Sequence, residues 1–302
     1  MELTINEQND NIRIDSFVSN NNSKISRSLA QKLINNGQIK VNNSVVKTSY
    51  KLKPNDIVFI DESALESSPE GIKAENIPLD ILYEDDDILV VNKPKNMVVH
   101  PGSGVKNGTL VNAIVGKYEL SDEGESFRPG IIHRLDKDTT GVLVIAKNNY
   151  SHENIANQIK NRTTKKEYVA LVKGIIKEDK GVIDMPIGRS TEDRKKMAVT
   201  KNGRVAHTEF QVLNRYTEGY TLIKVSLKTG RTHQIRVHMS KIGHPVVGDT
   251  TYSNGKNPFG VTSQMLHSHI LGFIHPTKNE YVEFEAPVPE YFTKIVDGLT
   301  KI

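Results

Sequence analysis

The sequence predicts an α+β protein in which a small basic domain precedes a larger one built on a largely antiparallel sheet. Three observations carry this. The 302-residue length suits about two domains of roughly 150 residues. Charge divides the chain. From Ile12 to Lys53, Arg13, Lys24, Arg27, Lys32, Lys40, Lys47, Lys51 and Lys53 face Asp15 alone, whereas ten acidic residues between Asp61 and Asp87 face only Lys73. The remaining stretch of about 220 residues holds many short apolar or alternating segments, few helical patterns and no strict β-α-β rhythm. Glu62 to Pro78 is rich in Ser, Pro and Gly as well as acid, which suits a solvated linker. The predicted domains are therefore 12–61 and 79–302, joined by 62–78.

In the front domain, Ile14, Phe17 and Val18 keep helical spacing. Ser26 can cap a second helix that turns Leu29, Leu33 and Ile34 inward, and Gly37 stands where a glycine ends a helix. Short strands follow at Ile39 and Val41, at Val45-Val46 after the turn Asn42-Asn43, and at Ile57 to Ile60. Arg27, Lys32, Lys47, Lys51 and Lys53 are left outside.

In the larger domain, Ile88 to Val91 and Val142 to Ala146 have the composition of buried strands. Lys166 to Val172 alternates, as does Tyr220 to Leu227, with Thr221, Ile223, Val225 and Leu227 on one face. Ser151 can cap a helix carrying Ile155 and Ile159. Thr232 can cap another carrying Ile235, Met239 and Ile242, which Gly243 ends.

Composition excludes several chemistries. With no cysteine there is no disulfide, no zinc ribbon, no iron–sulfur cluster and no thiol nucleophile. Pro101 to Thr109 spaces its glycines G-x-G-x-x-x-G, which misses both the dinucleotide fingerprint and the P-loop. The late histidines, His233, His238, His244, His267, His269 and His275, lack a His-Glu-x-x-His pattern and read as structural or RNA-facing. No cofactor and no metal is expected. The N-terminus is polar, and the apolar runs are far shorter than the roughly 20 residues of a membrane span. A cytoplasmic monomer without membrane contact is expected.

The densest chemical stretch is Gly130-Ile-Ile-His-Arg-Leu-Asp-Lys-Asp-Thr-Thr-Gly141, which feeds directly into the apolar run Val142 to Ala146. A polar loop entering a core strand presents its side chains at the end of a sheet. GIIHRLDKDTTGVLVIAK resembles the signature of the RluA-type pseudouridine synthases. Four further motifs follow that family's order: KPKNMVVHPG, KKEYVALVKG, LKTGRTHQIRVHMSKIGHPVVGD and LHSHILGFIHP. The run SRSLAQKLINNGQIKVNNSVVKTSYKLKPNDIV resembles the alpha-L module, an RNA-binding domain also found in a small-subunit ribosomal protein. Together the likeness spans roughly residues 12 to 290. Thr140 stands where Ser is usual and Ser268 where Ala is common.

The resemblance implies a pseudouridine synthase fold with a mixed, largely antiparallel sheet behind an alpha-L domain. It implies Asp136 as the essential carboxylate, acting on a flipped-out uridine and attacking either the sugar or the base. An oxygen nucleophile agrees with the missing cysteines. Buried beside RNA, Asp136 needs a cation to stay ionised, and the family pattern offers Arg231, whose alternative is a phosphate contact. Tyr168 becomes the platform under the uracil or a general base, where periodicity alone makes it a core aromatic. Arg134 fills the vacated stack or holds phosphates, and His133 either joins it or shapes the loop.

The other expected RNA contacts are Arg27, Lys32, Lys47 and Lys51 in front and Lys195, Lys196 and Arg204 on a basic hairpin turning at Lys201-Asn202-Gly203-Arg204. The expected partner is large-subunit ribosomal RNA, with transfer RNA as the alternative. A non-catalytic RNA-binding assembly factor, and a magnesium-dependent nuclease using Asp136 and Asp138, are the rivals from other classes.

Overall fold

Two turns of amphipathic helix start the front unit's core. The structure, a computed structural model, describes residues 1–302 except 23, 24, 26, 62–71, 103, 124–127 and 254–258, and the chain divides into units Met1–Lys73 and Ala74–Ile302. In the first unit, α1 (Ile14–Asn21) and α2 (Arg27–Asn35) bury Ile14, Phe17, Val18, Leu33 and Ile34. They pack with a three-stranded antiparallel sheet of β1 (Glu2–Thr4), β2 (Ile39–Val41) and β3 (Ile57–Ile60), in the order β1-β3-β2. Gly37 takes φ 72° and donates to Ile34 O, while Gln38 N donates to Leu33 O, closing α2 as its glycine suggests.

The Asp15 side chain is fully buried. It accepts from Arg13 Nε and Nη2 at 3.0 and 2.9 Å and from Gln31 Nε2 at 2.7 Å, with Arg27 Nε at 3.3 Å. Arg13 above all holds its carboxyl well below the usual carboxylate range.

Two details depart from the sequence reading, and some of it lies beyond what is described. β1, which precedes the expected domain start, is too short and polar to announce itself. Val45-Val46 is no strand, because Ser44 and Val41 close a turn on each other while Asn42 and Asn43 both adopt positive φ. Ser26, the side chains of Leu29 and Lys32, and most of the expected linker lie outside the described residues.

The second unit is organised by β4 (Asp80–Glu84), β5 (Ile88–Lys93), β6 (Thr140–Ala146), β7 (Lys165–Lys173) and β8 (Lys180–Asp184). A separate antiparallel pair follows, β9 (Ile187–Arg189) with β10 (Met197–Val199). Then come β11 (His207–Tyr216), β12 (Tyr220–Leu227), β13 (Leu266–Ile274) and β14 (Tyr281–Glu285). All but β9 and β10 form one nine-stranded sheet, ordered β4-β5-β6-β13-β7-β12-β11-β8 with β14 on β13. Of the described pairs in it, β6 with β13 is parallel and the others antiparallel.

This agrees with the predicted α+β class. The parallel contact sets Gly141 against Ser268 so closely that a Cβ at Gly141 would lie 2.0 Å from Ser268 O. Val90, Val142, Val144, Leu271 and Phe273 fill one cluster with Ile155. Leu171, Tyr216, Val247 and Phe292 anchor another.

The helices of this unit are α3 (Leu110–Ile114), α4 (Asn149–Lys160), α5 (Gln234–Lys241) and α6 (Glu290–Asp297). Two caps differ from expectation. Asn148, not Ser151, caps α4 by accepting from Ser151 N at 2.9 Å. At α5 the flanking residue is His233, not Thr232, and it makes no side-chain cap. The Thr232 hydroxyl instead accepts from Arg134 Nη2 at 2.7 Å, and the Gln234 side chain accepts from Arg231 N at 3.0 Å and Thr229 Oγ1 at 2.8 Å, closing the loop ahead of α5. Among the described residues no helix is long and apolar enough to cross a membrane.

Candidate active site

The loop ahead of β6 is pinned at four points. Gly130 O accepts from Ala146 N, and Ile131 bridges Ile145. Gly130 has φ 71°, and a Cβ there would meet Ala146 O at 2.7 Å, so only glycine fits the turn. His133 Nε2 accepts from Val144 N at 3.2 Å. Lys93 Nζ donates to Lys137 O at 3.0 Å and also to Pro94 O and Met97 O. Thr139 N closes a turn on Asp136 O, and Thr140 Oγ1 meets His267 Nδ1 at 2.8 Å. These contacts hold Asp136 just ahead of the start of β6, which β13 adjoins.

Lys93 is wholly buried, and burial brings its ammonium down to about 7, opposed by the charges of Asp138 and Asp136. Burial likewise brings His133 down to about 3, with Lys166 acting the same way. A neutral ring that accepts a backbone N–H fits the loop-shaping alternative for His133.

The cation beside Asp136 is Arg236, not Arg231. Arg236 Nη1 donates to Asp136 Oδ2 at 2.9 Å, and its Nε and Nη2 donate to Asp249 at 2.7 and 3.0 Å. Asp249 also accepts from the backbone N–H groups of Thr251 and Tyr252. Burial opposes both charges, but their mutual pairing prevails and holds Asp249 below its usual range and Arg236 above. Arg231 lines the same pocket, yet its Nε donates to Val205 O at 3.0 Å. Burial and the nearby Arg204 and Arg162 lower its guanidinium, a cationic setting that suits phosphate. Nothing in the helical spacing distinguishes Arg236, because α5 is buried from Gln234 to Met239 and offers no polar face to read.

Tyr168 lines the pocket beside Asp136 and is only 8% exposed. It pairs with Ser268 across β7 and β13. Burial pushes its phenol up to about 12; the Ser268 hydroxyl acts against this and the Asp136 charge with it. At neutral pH it is a phenol, suited to stacking or donating rather than to taking a proton. His233 places Nε2 at 3.9 Å from Asp136 Oδ1 and Nδ1 at 2.7 Å from Tyr252 Oη. Like Arg236, Asp249 and Lys93, neither His233 nor Tyr252 is marked for this site by its spacing in the chain.

Arg134 is exposed at the pocket rim, where Nη2 donates to Thr232 Oγ1 at 2.7 Å. Lys195 and Arg204 are exposed, and Lys196 stands 3.9 Å from Asp193. Gly203 N closes a turn on Thr200 O, but its flanks do not form the expected hairpin: Val199 and Arg204 both pair with Ile187 rather than with each other. In the front unit Lys47 and Lys51 are exposed, while Arg27 is partly spent on Asp15. Among the described residues the sole metal-like grouping is Asp85, Asp87 and His275. Its carboxylates are already taken by donors that include Thr277, Ser151, Asn148 and Lys278. Asp136 and Asp138 do not form such a group.

The chain is similar to known proteins along most of its length. Residues 87–241 match the RNA pseudouridylate synthase family and residues 12–58 the S4 domain. The uncharacterized RNA pseudouridine synthase YlyB of Bacillus subtilis is 45% identical over all of this chain and 98% of its own. Ribosomal large subunit pseudouridine synthase D of Vibrio parahaemolyticus is 39% identical over 96% of this chain and 91% of its own. Among solved structures, human RNA Pseudouridylate Synthase Domain Containing 1 superposes with a TM-score of 0.61 at 28% identity, covering 76% of this chain and 91% of its own. A carboxylate held by a buried arginine at a sheet end, within a domain that matches over half the chain, places this protein in the RNA pseudouridylate synthase family, with an S4 domain in front.

Proposed function

We propose that the chain converts specific uridines of large-subunit ribosomal RNA to pseudouridine, with Asp136 as nucleophile on an extruded nucleotide. The observation that carries the reading is the unequal setting of the two Asp136 oxygens. Oδ2 is tied to Arg236 at 2.9 Å, whereas Oδ1 has no partner within 3.5 Å among the described residues and belongs to the pocket that Tyr168 lines. A charged carboxylate fixed through one oxygen keeps the other free to react. Relatives such as the Vibrio parahaemolyticus protein bear the name ribosomal large subunit pseudouridine synthase D, which favours ribosomal RNA over transfer RNA.

The remaining roles follow from position. Extruding a paired uridine costs a few kcal/mol. Stacking on Tyr168 returns roughly 1–3 kcal/mol, and exposed Arg134 fills the space the base leaves. Arg231 and Arg204 hold the flanking phosphates, and Lys195 and Lys196 extend that track. Lys47, Lys51, Lys32 and the free part of Arg27 give the S4 domain its grip on the backbone.

Mapping pseudouridines in ribosomal and transfer RNA from cells with and without the gene tests the substrate. Loss of sites confined to transfer RNA would replace it. Asp136→Asn should abolish isomerisation yet keep RNA affinity, and wild-type conversion should persist in EDTA. An active Asp136→Asn protein would remove the nucleophile assignment, and loss of activity in EDTA would favour metal-dependent chemistry.

A further inference from the structure

Tyr252 fixes a proton on His233. Its Oη accepts the Met197 backbone N–H at 2.9 Å and lies 2.7 Å from His233 Nδ1. Among the described residues the phenolic proton has no acceptor other than that nitrogen. Nδ1 therefore accepts, and the ring carries its own proton on Nε2. The ring is further held edge-on to Tyr252, with centroids 5.5 Å apart and planes at 75°. Its backbone sits at φ 57°, a left-handed conformation that a non-glycine residue keeps only when its surroundings impose it. Burial, helped by Arg236 and Arg134 and opposed by Asp136 and Asp249, favours the neutral ring.

The result is a directed donor with nothing to donate to. Nε2 makes no hydrogen bond among the described residues, and Asp136 Oδ1 stands 3.9 Å away, beyond hydrogen-bond reach. His233 lines the pocket that Asp136 and Tyr168 share.

We propose that His233 is a catalytic residue whose Nε2–H donates to a carbonyl oxygen of the extruded uracil, O2 or O4. The inference rests on the reading of Asp136 as the group that engages the uridine. When the C1′–N1 bond breaks, its electron pair passes to the ring and spreads over N1, O2 and O4. When a carboxylate adds to the ring instead, the displaced pair collects on O4. In both routes the C1′–N1 bond breaks, C5 bonds to C1′ and loses its proton, N1 gains one, and the bond formed by the carboxylate breaks again to free Asp136, so atoms and electrons balance. In both routes a carbonyl oxygen gains negative charge beside Asp136. A fixed neutral donor stabilises that charge without surrendering its proton.

The test is single-turnover conversion of a large-subunit ribosomal RNA fragment that the wild-type chain modifies. His233→Ala should slow conversion about 100-fold and leave RNA affinity within about twofold. His233→Gln, which returns an N–H near the Nε2 position, should recover to within about tenfold of wild type. The same RNA carrying 2-thiouridine or 4-thiouridine at the target replaces one oxygen by a weak acceptor. One of the two should slow wild type at least about tenfold and His233→Ala less than about twofold.

Should His233→Ala fail to fold, the thio-substituted RNAs with wild type, and Tyr252→Phe with its expected loss of rate at unchanged affinity, still decide. An unaltered rate in His233→Ala, a loss of rate matched by loss of affinity, or indifference of wild type to both sulfur substitutions overturns the assignment. Conversion by Asp136→Asn overturns the parent reading instead, whatever His233 does.

Discussion

Arg236 Nη1 and Asp136 Oδ2 stand 2.9 Å apart across one hundred positions of sequence. The same guanidinium grips Asp249, whose side chain is fully buried, through its other two nitrogens. Asp249 is held in turn by two backbone N–H groups. Asp136 therefore inherits its position from a buried carboxylate that cannot move, through a planar fork that only arginine provides.

That geometry separates two neighbouring arginines. Arg236→Ala strands the buried Asp249 charge and should cost about 3–5 kcal/mol of stability, with isomerisation reduced at least about 100-fold. Arg236→Lys keeps the charge but loses the fork, and its turnover should also fall. Arg231→Ala should unfold within about 0.5 kcal/mol of wild type and weaken RNA binding. Urea unfolding and single-turnover rates check all three. Turnover lost as fully in Arg231→Ala as in Arg236→Ala would mean the ion pair is not what fixes Asp136.

How much of this is legible in the sequence depends on whether a pattern has a phase. The strands do. Tyr220 to Leu227 alternates because Thr221, Ile223, Val225 and Leu227 are buried while Tyr220, Lys224 and Ser226 are half-buried, and Val142 to Ala146 is apolar throughout because both faces are covered. The loop before β6 is legible because its charges crowd between two glycines. Arg236 is not, since a helix buried on all sides carries no moment that sets one arginine apart from another. Nor is the start of α5, because the Thr232 hydroxyl expected to cap it is taken by Arg134 from a distant part of the chain. Pairing of Asp249 with Arg236, or of Lys93 with the loop, is a tertiary fact with no local spacing.

Lys93 supplies a second test of how the loop is held. Its buried ammonium satisfies three carbonyls, one of them on Lys137, next to Asp136. Lys93→Met fills similar space but leaves these acceptors bare, at about 1–3 kcal/mol for each that stays dry. Stability should fall by several kcal/mol. Among variants that still fold at low temperature, kcat should fall further than RNA affinity. A fully active Lys93→Met protein would show that the loop keeps its shape without the lysine.

Acid should weaken the protein before its carboxylates titrate. His267 is fully buried, bonded to Thr140 Oγ1 and Ala286 O, and burial brings it down to about 4 against the pull of Ala286. An unfolded imidazole titrates near 6.5. Between pH 6.5 and 4 the unfolded chain binds a proton that the folded chain refuses. Stability is therefore complete above pH 6.5 and is lost as the pH falls toward 4, by about 3 kcal/mol in all. His100, brought to about 4, and His133, to about 3, act in the same direction. Urea midpoints from pH 7 to 4.5 should fall for wild type and fall less steeply for His267→Gln. Equal slopes would remove His267 from this account.

The front unit's charges should appear in the salt dependence of binding. This unit has its own core and sheet, so deleting residues 1–61 should leave the unfolding transition of the second unit in place. Each lysine or arginine that neutralises a phosphate adds roughly 0.7–0.9 to the slope of log affinity against log salt. Losing three or four contacts should flatten that slope by about 3. The contributors are not equal. Lys47 and Lys51 are exposed, so Lys47→Gln and Lys51→Gln should each remove close to one contact and leave stability unchanged. Arg27 faces Asp15 at 3.3 Å, so Arg27→Gln should change the slope less and loosen the tie between α1 and α2. Filter binding across a salt series, with thermal melts of the same variants, measures both. An unchanged slope after deletion of the whole unit would leave its basic face without a role in RNA binding.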